Sequence, residues 1–191
     1  MSRISLIGYR GSGKSTVAAL VAERLSCGWI DTDLELEASI GMSIADLVAT
    51  RGEEAFRDAE AAILERLVRG YSGVLATGGG VVLRAGNRAL LRSHGRPVAW
   101  LTAPAAVLRR RIAADPASAT RRPPLAGRDP LADVEPALAA REPLYRECAD
   151  VVVDVAEESA AQIAARLVAW LERLTGAPQA GAAGPAESTS A

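Results

Sequence analysis

The segment that most restricts how this chain can fold reads Gly-Tyr-Arg-Gly-Ser-Gly-Lys-Ser at residues 8–15 and fits the pattern G-x-x-x-x-G-K-[ST]. A run typical of a strand, Ile4–Ile7, comes directly before it, and apolar residues with helical spacing, Val17 and Val21, follow it. In such a unit the backbone N–H groups and the helix N-terminus point at an anion that the glycines let the loop approach closely. The segment therefore predicts a nucleotide phosphate site and leaves the second substrate open.

Lys14 is the only lysine of a chain that has 22 basic residues. A compact ammonium and a planar guanidinium solve different geometric problems, so this is a position at which arginine does not replace lysine. In loops of this kind the lysine reaches the β- and γ-phosphates, and the following hydroxyl, here Ser15, ligates Mg²⁺. We therefore expect ATP with Mg²⁺ at this loop.

Short apolar runs alternate with segments of helical period, which indicates βαβ units around a largely parallel sheet. The 191 residues fit one domain of ordinary size. The predicted fold class is therefore α/β. The strand candidates are Ile4–Ile7, Trp29–Asp31, Val74–Thr77, Val98–Leu101 and Val151–Val155.

Composition argues against several classes of function. A formal net charge of -1 does not provide the basic field of a nucleic-acid-binding protein. Cys27 and Cys148 have no CxxC spacing and His94 is the single histidine, so neither a disulfide framework nor a Cys/His metal site is indicated. The N-terminal residues lack a basic region followed by a long apolar stretch, and no segment of the sequence is apolar enough to span a bilayer. We therefore expect neither a leader peptide nor a membrane span. We expect a cytoplasmic protein without nucleic-acid or membrane partners.

Two stretches lack periodic apolar residues. Residues 115–133 are rich in Pro and Arg, and a loop of this length is either an active-site lid or a solvated connection. Beyond Gly176 the composition changes to Ala, Gly, Pro, Ser and Thr, which predicts a disordered tail at 176–191 after a domain at 1–175.

Acidic residues follow the second predicted strand. In open α/β sheets ligands bind at the carboxyl ends of strands. Asp31 and Asp33 should therefore lie near the phosphate-binding loop at residues 8–15, the P-loop. Alternation along an extended segment would place both carboxylates on one side, where one holds the water shell of Mg²⁺ and the other accepts hydrogen bonds from a hydroxylated substrate. The alternative is a helix N-cap, since Asp33 precedes an apolar helix.

Arginines and glycines supply a further group of candidates. Arg57 and Glu60 are three residues apart and share a helix face, which is consistent with an exposed ion pair or with a binding site. The glycine run at 78–80 follows the third predicted strand and lets a ligand approach bare backbone. If Arg141 converges with Arg57 near this strand end, the two guanidinium groups would suit a carboxylate.

The order of these motifs resembles that of shikimate kinases over about residues 3–155. The sequence contains GxxGSGKS, DTD, GExxFRxxE, GGG, an Arg-Pro segment and REPLY, in that order and at about the family's separations. The resemblance implies a three-layer αβα P-loop kinase fold with five parallel strands in the order 2-3-1-4-5 and a mobile lid. It also implies ATP and shikimate as substrates, Mg²⁺ as cofactor and a monomer.

By resemblance, the implied roles fall on particular residues. The ATP phosphates are assigned to Gly11, Ser12, Gly13, Lys14, Ser15 and Thr16. Shikimate is assigned to Asp33, Arg57, Gly79, Gly80 and Arg141, with Glu60 orienting Arg57. The metal ligands are Ser15 and Asp31, and the catalytic residues are Lys14, Asp33 and Arg122.

The lid and the adenine contact match the family less closely. Arg122 directly precedes a proline and is taken as the lid arginine, with Arg121 as the alternative. The adenine-facing arginine is expected at Arg109 or Arg110, and Arg110 is assigned to the nucleotide site. A gluconate or nucleoside monophosphate kinase would account for the P-loop but not for the arginines, and a non-catalytic nucleotide-binding module would be expected to have defects in the motifs that are intact here.

Replacing Lys14 by Arg is expected to abolish most turnover although it preserves the charge, because the loop accommodates a narrow ammonium and not a fork. Steady-state ADP release by the variant and the parent, at saturating nucleotide, measures the effect. A variant as active as the parent would show that the single lysine is only a consequence of composition.

Overall fold

The computed structural model describes residues 4–115 and 131–176. Within these ranges the chain forms five strands, seven α-helices and one short 3₁₀ turn, Val81–Leu83. The strands are β1 (Ile4–Ile7), β2 (Trp29–Asp31), β3 (Val74–Ala76), β4 (Val98–Thr102) and β5 (Val151–Asp154). The helices are α1 (Lys14–Arg24), α2 (Thr32–Ile40), α3 (Ile44–Gly70), α4 (Ala85–His94), α5 (Ala105–Ala114), α6 (Val134–Cys148) and α7 (Ala160–Thr175).

The five strands form one sheet in the order β2-β3-β1-β4-β5, and every neighbouring pair is parallel. This confirms the predicted α/β fold and strand order. The predicted bounds of β1 and β2 are correct, and those of β3, β4 and β5 differ by one residue. Thr77 leaves the strand, yet its N–H and its Oγ1 both donate to the Leu6 carbonyl, at 3.1 and 3.0 Å.

The sheet separates two apolar clusters, because successive side chains of a buried strand point to opposite faces. Leu6 and Leu101 face one cluster, which α1, α5 and α7 cover. Ile7 and Trp100 face the other cluster, which α3, α4 and α6 cover. Helices therefore lie on both faces of a buried parallel sheet, as the three-layer prediction requires.

A bend at Gly52 divides α3 into two helical segments. Gly52 has φ 84° and ψ 168°, a backbone conformation that residues with a Cβ rarely adopt. The second segment carries Phe56 and Glu60 toward the sheet, and both side chains are buried. The bend thus sets the direction from which Arg57, which lies between them, approaches the strand ends.

The residues Ser159-Ala160-Ala161-Gln162 have the sequence pattern of a capping box. The structure confirms it, since Ser159 Oγ accepts from the Gln162 N–H and Gln162 Oε1 accepts from the Ser159 N–H. Arg122, with most of the expected lid at 115–133 and most of the tail at 176–191, lies outside the described residues. None of the helices in the described ranges has the length and apolar character needed to cross a membrane.

The two cysteines are expected to differ in reactivity. Burial, together with the charge of Glu147, raises the pKa of Cys148 to about 11, whereas Cys27 is partly exposed. At pH 8 an aromatic disulfide reagent should therefore titrate one thiol of the native protein and the second only after denaturation. Cys27→Ser should remove the fast thiol, and two fast thiols in the parent would contradict this assignment.

The raised pKa of Cys148 also makes the stability of the protein depend on pH in the alkaline range. Since the pKa of Cys148 is raised in the folded state, its contribution to the free energy of unfolding is complete below the pKa of an unfolded thiol, about 8.5. The contribution is lost as the pH rises toward about 11.

Candidate active site

The carboxyl ends of the strands open onto a cavity of about 390 Å³. The P-loop contributes Gly11, Gly13, Lys14, Ser15 and Thr16 to its lining. Asp31, Asp33, Thr77 and Gly79, which follow β2 and β3, complete the opposite wall together with Leu34, Glu37 and Ile44. The structure therefore brings most of the sequence-predicted residues to one cavity, and Arg57, Gly80 and Arg141 adjoin it through Gly79.

The P-loop holds Lys14 by its own backbone. Lys14 is 9% exposed, and its ammonium donates to the carbonyls of Gly8 at 2.8 Å and Tyr9 at 2.9 Å. Ser12 Oγ donates to the same Tyr9 carbonyl at 2.8 Å, and Ser12 is itself buried. A buried cation is tolerated only when hydrogen-bond acceptors surround it, so these carbonyls determine where the ammonium stands.

Asp31 links the P-loop helix to the second strand. Ser15 Oγ donates to Asp31 Oδ2 at 2.5 Å, while Asp31 Oδ1 accepts from the N–H groups of Asp33 at 3.0 Å and Leu34 at 3.4 Å. Asp31 is thus the N-cap of α2. One carboxylate orders both the hydroxyl of the phosphate loop and the start of the next helix.

The argument from an extended Asp31-Thr32-Asp33 segment was wrong in its geometry. β2 ends at Asp31 and α2 begins at Thr32, so Asp33 lies in the first helical turn. Asp33 reaches the cavity because of that turn and not because of strand alternation. The alternative that this triplet forms a helix N-cap is confirmed, with Asp31 and not Asp33 as the capping residue.

Arg57 is part of a buried ion pair. Its Nη1 lies 2.8 Å from Glu60 Oε2, its Nη2 lies 3.3 Å from Glu53 Oε1, and the Glu60 side chain is only 3% exposed. The exposed-ion-pair interpretation was therefore wrong. The guanidinium also lies so close to Gly80 that a Cβ at that position would overlap it. Glycine at this position lets the Arg57 guanidinium lie directly against the backbone.

Arg141 reaches the neighbouring glycine from α6. Its Nη1 donates to the Gly79 carbonyl at 3.4 Å, and its guanidinium lies 5.2 Å from the centre of the Tyr9 ring. Tyr145, four residues further along α6, donates to the same carbonyl at 2.5 Å. Sequence reasoning missed Tyr145, although the i, i+4 spacing places it on the same helix face as Arg141.

A second residue that sequence reasoning missed is Arg111. It lines the cavity and donates to the carbonyls of Val155 at 2.7 Å and Ala156 at 3.3 Å. Arg110 is exposed on α5 and does not line the cavity. The buried pair Leu108 and Ile112 carries the missing signal, because a residue three positions after Leu108 lies on the inward face of the helix.

A phosphate cradle that faces two partly buried arginines across the ends of a parallel sheet is the arrangement of a P-loop kinase for a small acceptor. The sequence matches the family model for shikimate kinase over residues 10–172. The shikimate kinase of Oleidesulfovibrio alaskensis is 47% identical over 161 residues, which cover 84% of this chain and 92% of that protein. The chain belongs to the shikimate kinase family.

Solved structures agree with this assignment. A shikimate kinase from Acinetobacter baumannii in complex with shikimate has a TM-score of 0.81 and 32% identity, covering 91% of this chain and 92% of that one. A gluconokinase from Sinorhizobium meliloti has a TM-score of 0.53 and 20% identity, covering 92% and 94% of the two chains, and shares only the fold.

Replacing Glu60 by Gln is expected to lower the free energy of unfolding by about 2–4 kcal/mol, because it leaves the Arg57 charge without its buried partner. Urea denaturation measures this change. Glu65→Gln is the matched control, since Glu65 forms an exposed pair with Arg69 on the same helix and should change stability by less than about 0.5 kcal/mol. Equal effects of both substitutions would contradict a structural role for the buried pair.

Proposed function

We propose that the protein transfers the γ-phosphoryl group of ATP to the 3-hydroxyl of shikimate. The observation that carries the proposal is the position of two guanidinium groups at consecutive glycines. Arg57 packs on Gly80 and Arg141 donates to Gly79, beside the cavity that the P-loop lines from its other side. Two forked donors held next to each other suit the carboxylate of an acceptor, because the P-loop already supplies the donors for the nucleotide phosphates.

The backbone of the two glycines supports an anionic acceptor. Gly78 N–H donates to Thr32 Oγ1 at 3.1 Å, and Val81 N–H donates to the Gly78 carbonyl at 3.1 Å. Among the residues that the structure describes, the N–H groups of Gly79 and Gly80 have no such acceptor. Because both glycines are buried, these N–H groups need hydrogen-bond partners. The oxygens of an anionic substrate would serve as those partners.

On the nucleotide side, Gly11–Thr16 would hold the phosphates, and Lys14 would move its ammonium from loop carbonyls to phosphate oxygens. We assign the adenine side of the site to Arg111 in place of Arg110, because only Arg111 lines the cavity. Arg122, from the segment outside the described residues, would contact the transferring group. Every proposed group belongs to one chain, so the proposal requires only a monomer.

The oxygen ligands of the site suit Mg²⁺. Ser15 Oγ and Asp31 Oδ2 are 2.5 Å apart on the cavity wall, and Mg²⁺ typically combines one or two such protein oxygens with waters and substrate phosphates. Ser15 would ligate the ion and Asp31 would hold its water shell. The bound ion would neutralise part of the phosphate charge.

The reaction itself needs positioning more than covalent chemistry. The shikimate oxygen forms a bond to the γ-phosphorus as the bond from that phosphorus to the ADP oxygen breaks. Asp33, at the cavity between the P-loop and the glycines, would orient the hydroxyl and accept its proton. Lys14 and Arg122 would stabilise the charge on the transferring group.

ADP release measured with a panel of acceptors tests the proposal. Shikimate should support turnover, whereas gluconate, the substrate class of the fold-sharing neighbour, should not exceed the rate of ATP hydrolysis without acceptor. Turnover that is equal with both acceptors, or absent with shikimate, would overturn the proposed function.

Asp33→Asn and Asp31→Asn are expected to produce different defects. Asp33→Asn removes the proton acceptor, so shikimate-dependent turnover should fall about 10²- to 10⁴-fold while nucleotide affinity is retained. Asp31→Asn should raise the Mg²⁺ concentration needed for half-maximal rate, because it weakens the hold on the ion's water shell. Mg²⁺ titrations of both variants separate the roles, and rescue of Asp33→Asn by excess Mg²⁺ would reverse the assignment.

A further inference from the structure

We infer that Tyr145 is a positioning residue for the acceptor: its hydroxyl fixes the orientation of the Gly79–Gly80 peptide and thereby aims the Gly80 N–H. This inference rests on the proposed function and adds a residue that acts without touching the substrate. Tyr145 is 0% exposed, and its Oη donates to the Gly79 carbonyl at 2.5 Å.

The peptide geometry explains how this contact reaches the acceptor. A trans peptide is planar, so the N–H of Gly80 points opposite to the carbonyl of Gly79. Fixing that carbonyl against α6 therefore fixes the direction of an N–H on the other side of the same plane. The φ and ψ angles of glycine are less restricted than those of other residues. A peptide between two glycines therefore depends on an external contact to keep one orientation.

Two donors from α6 share the task unequally. The Gly79 carbonyl has two lone pairs and accepts from both Tyr145 Oη, at 2.5 Å, and Arg141 Nη1, at 3.4 Å. The shorter contact comes from the residue with fewer rotatable bonds. Tyr145 is thus suited to hold the peptide, which leaves the Arg141 guanidinium available for the acceptor.

The Tyr145 ring is itself held in place. It stacks on the buried Trp100 of β4, with ring centres 5.7 Å apart and planes inclined by 20°. Arg146, which follows Tyr145 on α6, places its guanidinium 5.3 Å from the centre of the Trp100 ring. The strand thus fixes the ring, the ring fixes the hydroxyl, and the hydroxyl fixes the glycine peptide.

Tyr145→Phe tests the inference because it removes the hydroxyl and retains the ring that packs on Trp100. Calorimetric titration should show shikimate binding weakened about 2- to 13-fold, the range that corresponds to the loss of one neutral hydrogen bond. The KM for shikimate should rise in parallel. The affinity for ADP and the KM for ATP should stay close to those of the parent, and the melting temperature should fall by no more than the few degrees that correspond to one buried hydrogen bond.

The control is Tyr71→Phe, which removes the hydroxyl of a tyrosine that is only partly buried, packs on the same apolar cluster and does not line the cavity. It should leave both affinities unchanged. A Tyr145→Phe protein that binds shikimate like the parent, or that loses shikimate and ADP affinity together with stability, would show that the hydroxyl is only structural and would overturn the inference.

A second variant guards against a folding defect of Tyr145→Phe. Trp100→Phe keeps the Tyr145 hydroxyl and loosens its support, so it should weaken shikimate binding by a smaller factor, with ADP binding retained. Unchanged shikimate binding in this variant would also count against the inference.

The parent's own shikimate-dependent ADP release separates the proposed function from the inference about Tyr145. If this release is absent, the proposed function fails. An active parent with an unaffected Tyr145→Phe variant removes only the role of Tyr145.

Discussion

All five described strands run in the same direction, and this one constraint determines where the chemistry of the protein lies. Parallel strands place their carboxyl ends at one edge of the sheet, so the segments after β1, β2 and β3 open onto a common space. The P-loop, the Asp31–Asp33 turn and the glycine run are those three segments. Residues that are far apart in sequence therefore meet at this edge, where contacts such as the one between Ser15 and Asp31 can form.

Charges buried at this edge are held by groups that fold with them. Lys14 is surrounded by P-loop carbonyls, and Arg57 is paired with Glu60, which is more deeply buried than Arg57 itself. Burying a charge is costly unless partners are arranged around it, so the fold must supply those partners before any ligand binds. The cations thus stand at defined positions, which is the form of preorganisation on which phosphoryl transfer depends.

Motifs with a fixed backbone geometry could be predicted from the sequence, and contacts between distant elements could not. The P-loop, the strand order implied by the family resemblance, and the Ser159 capping box all follow from local patterns or from their order along the chain. The burial of Glu60 depends on the bend at Gly52, which no periodicity reveals. Tyr145 and Arg111 acquire their importance from partners 66 and 44 residues away in sequence, so only the folded chain identifies them.

The sheet divides the apolar interior into two clusters, and each cluster supports a different half of the site. Helix α1, which follows the phosphate loop, and helix α5, which carries Arg111, pack in one cluster, whereas Phe56, Trp100 and Tyr145 pack in the other. Substitutions without shared neighbours usually have additive effects. During evolution, substitutions in the cluster behind the acceptor site could therefore change the specificity for the acceptor while nucleotide binding was retained.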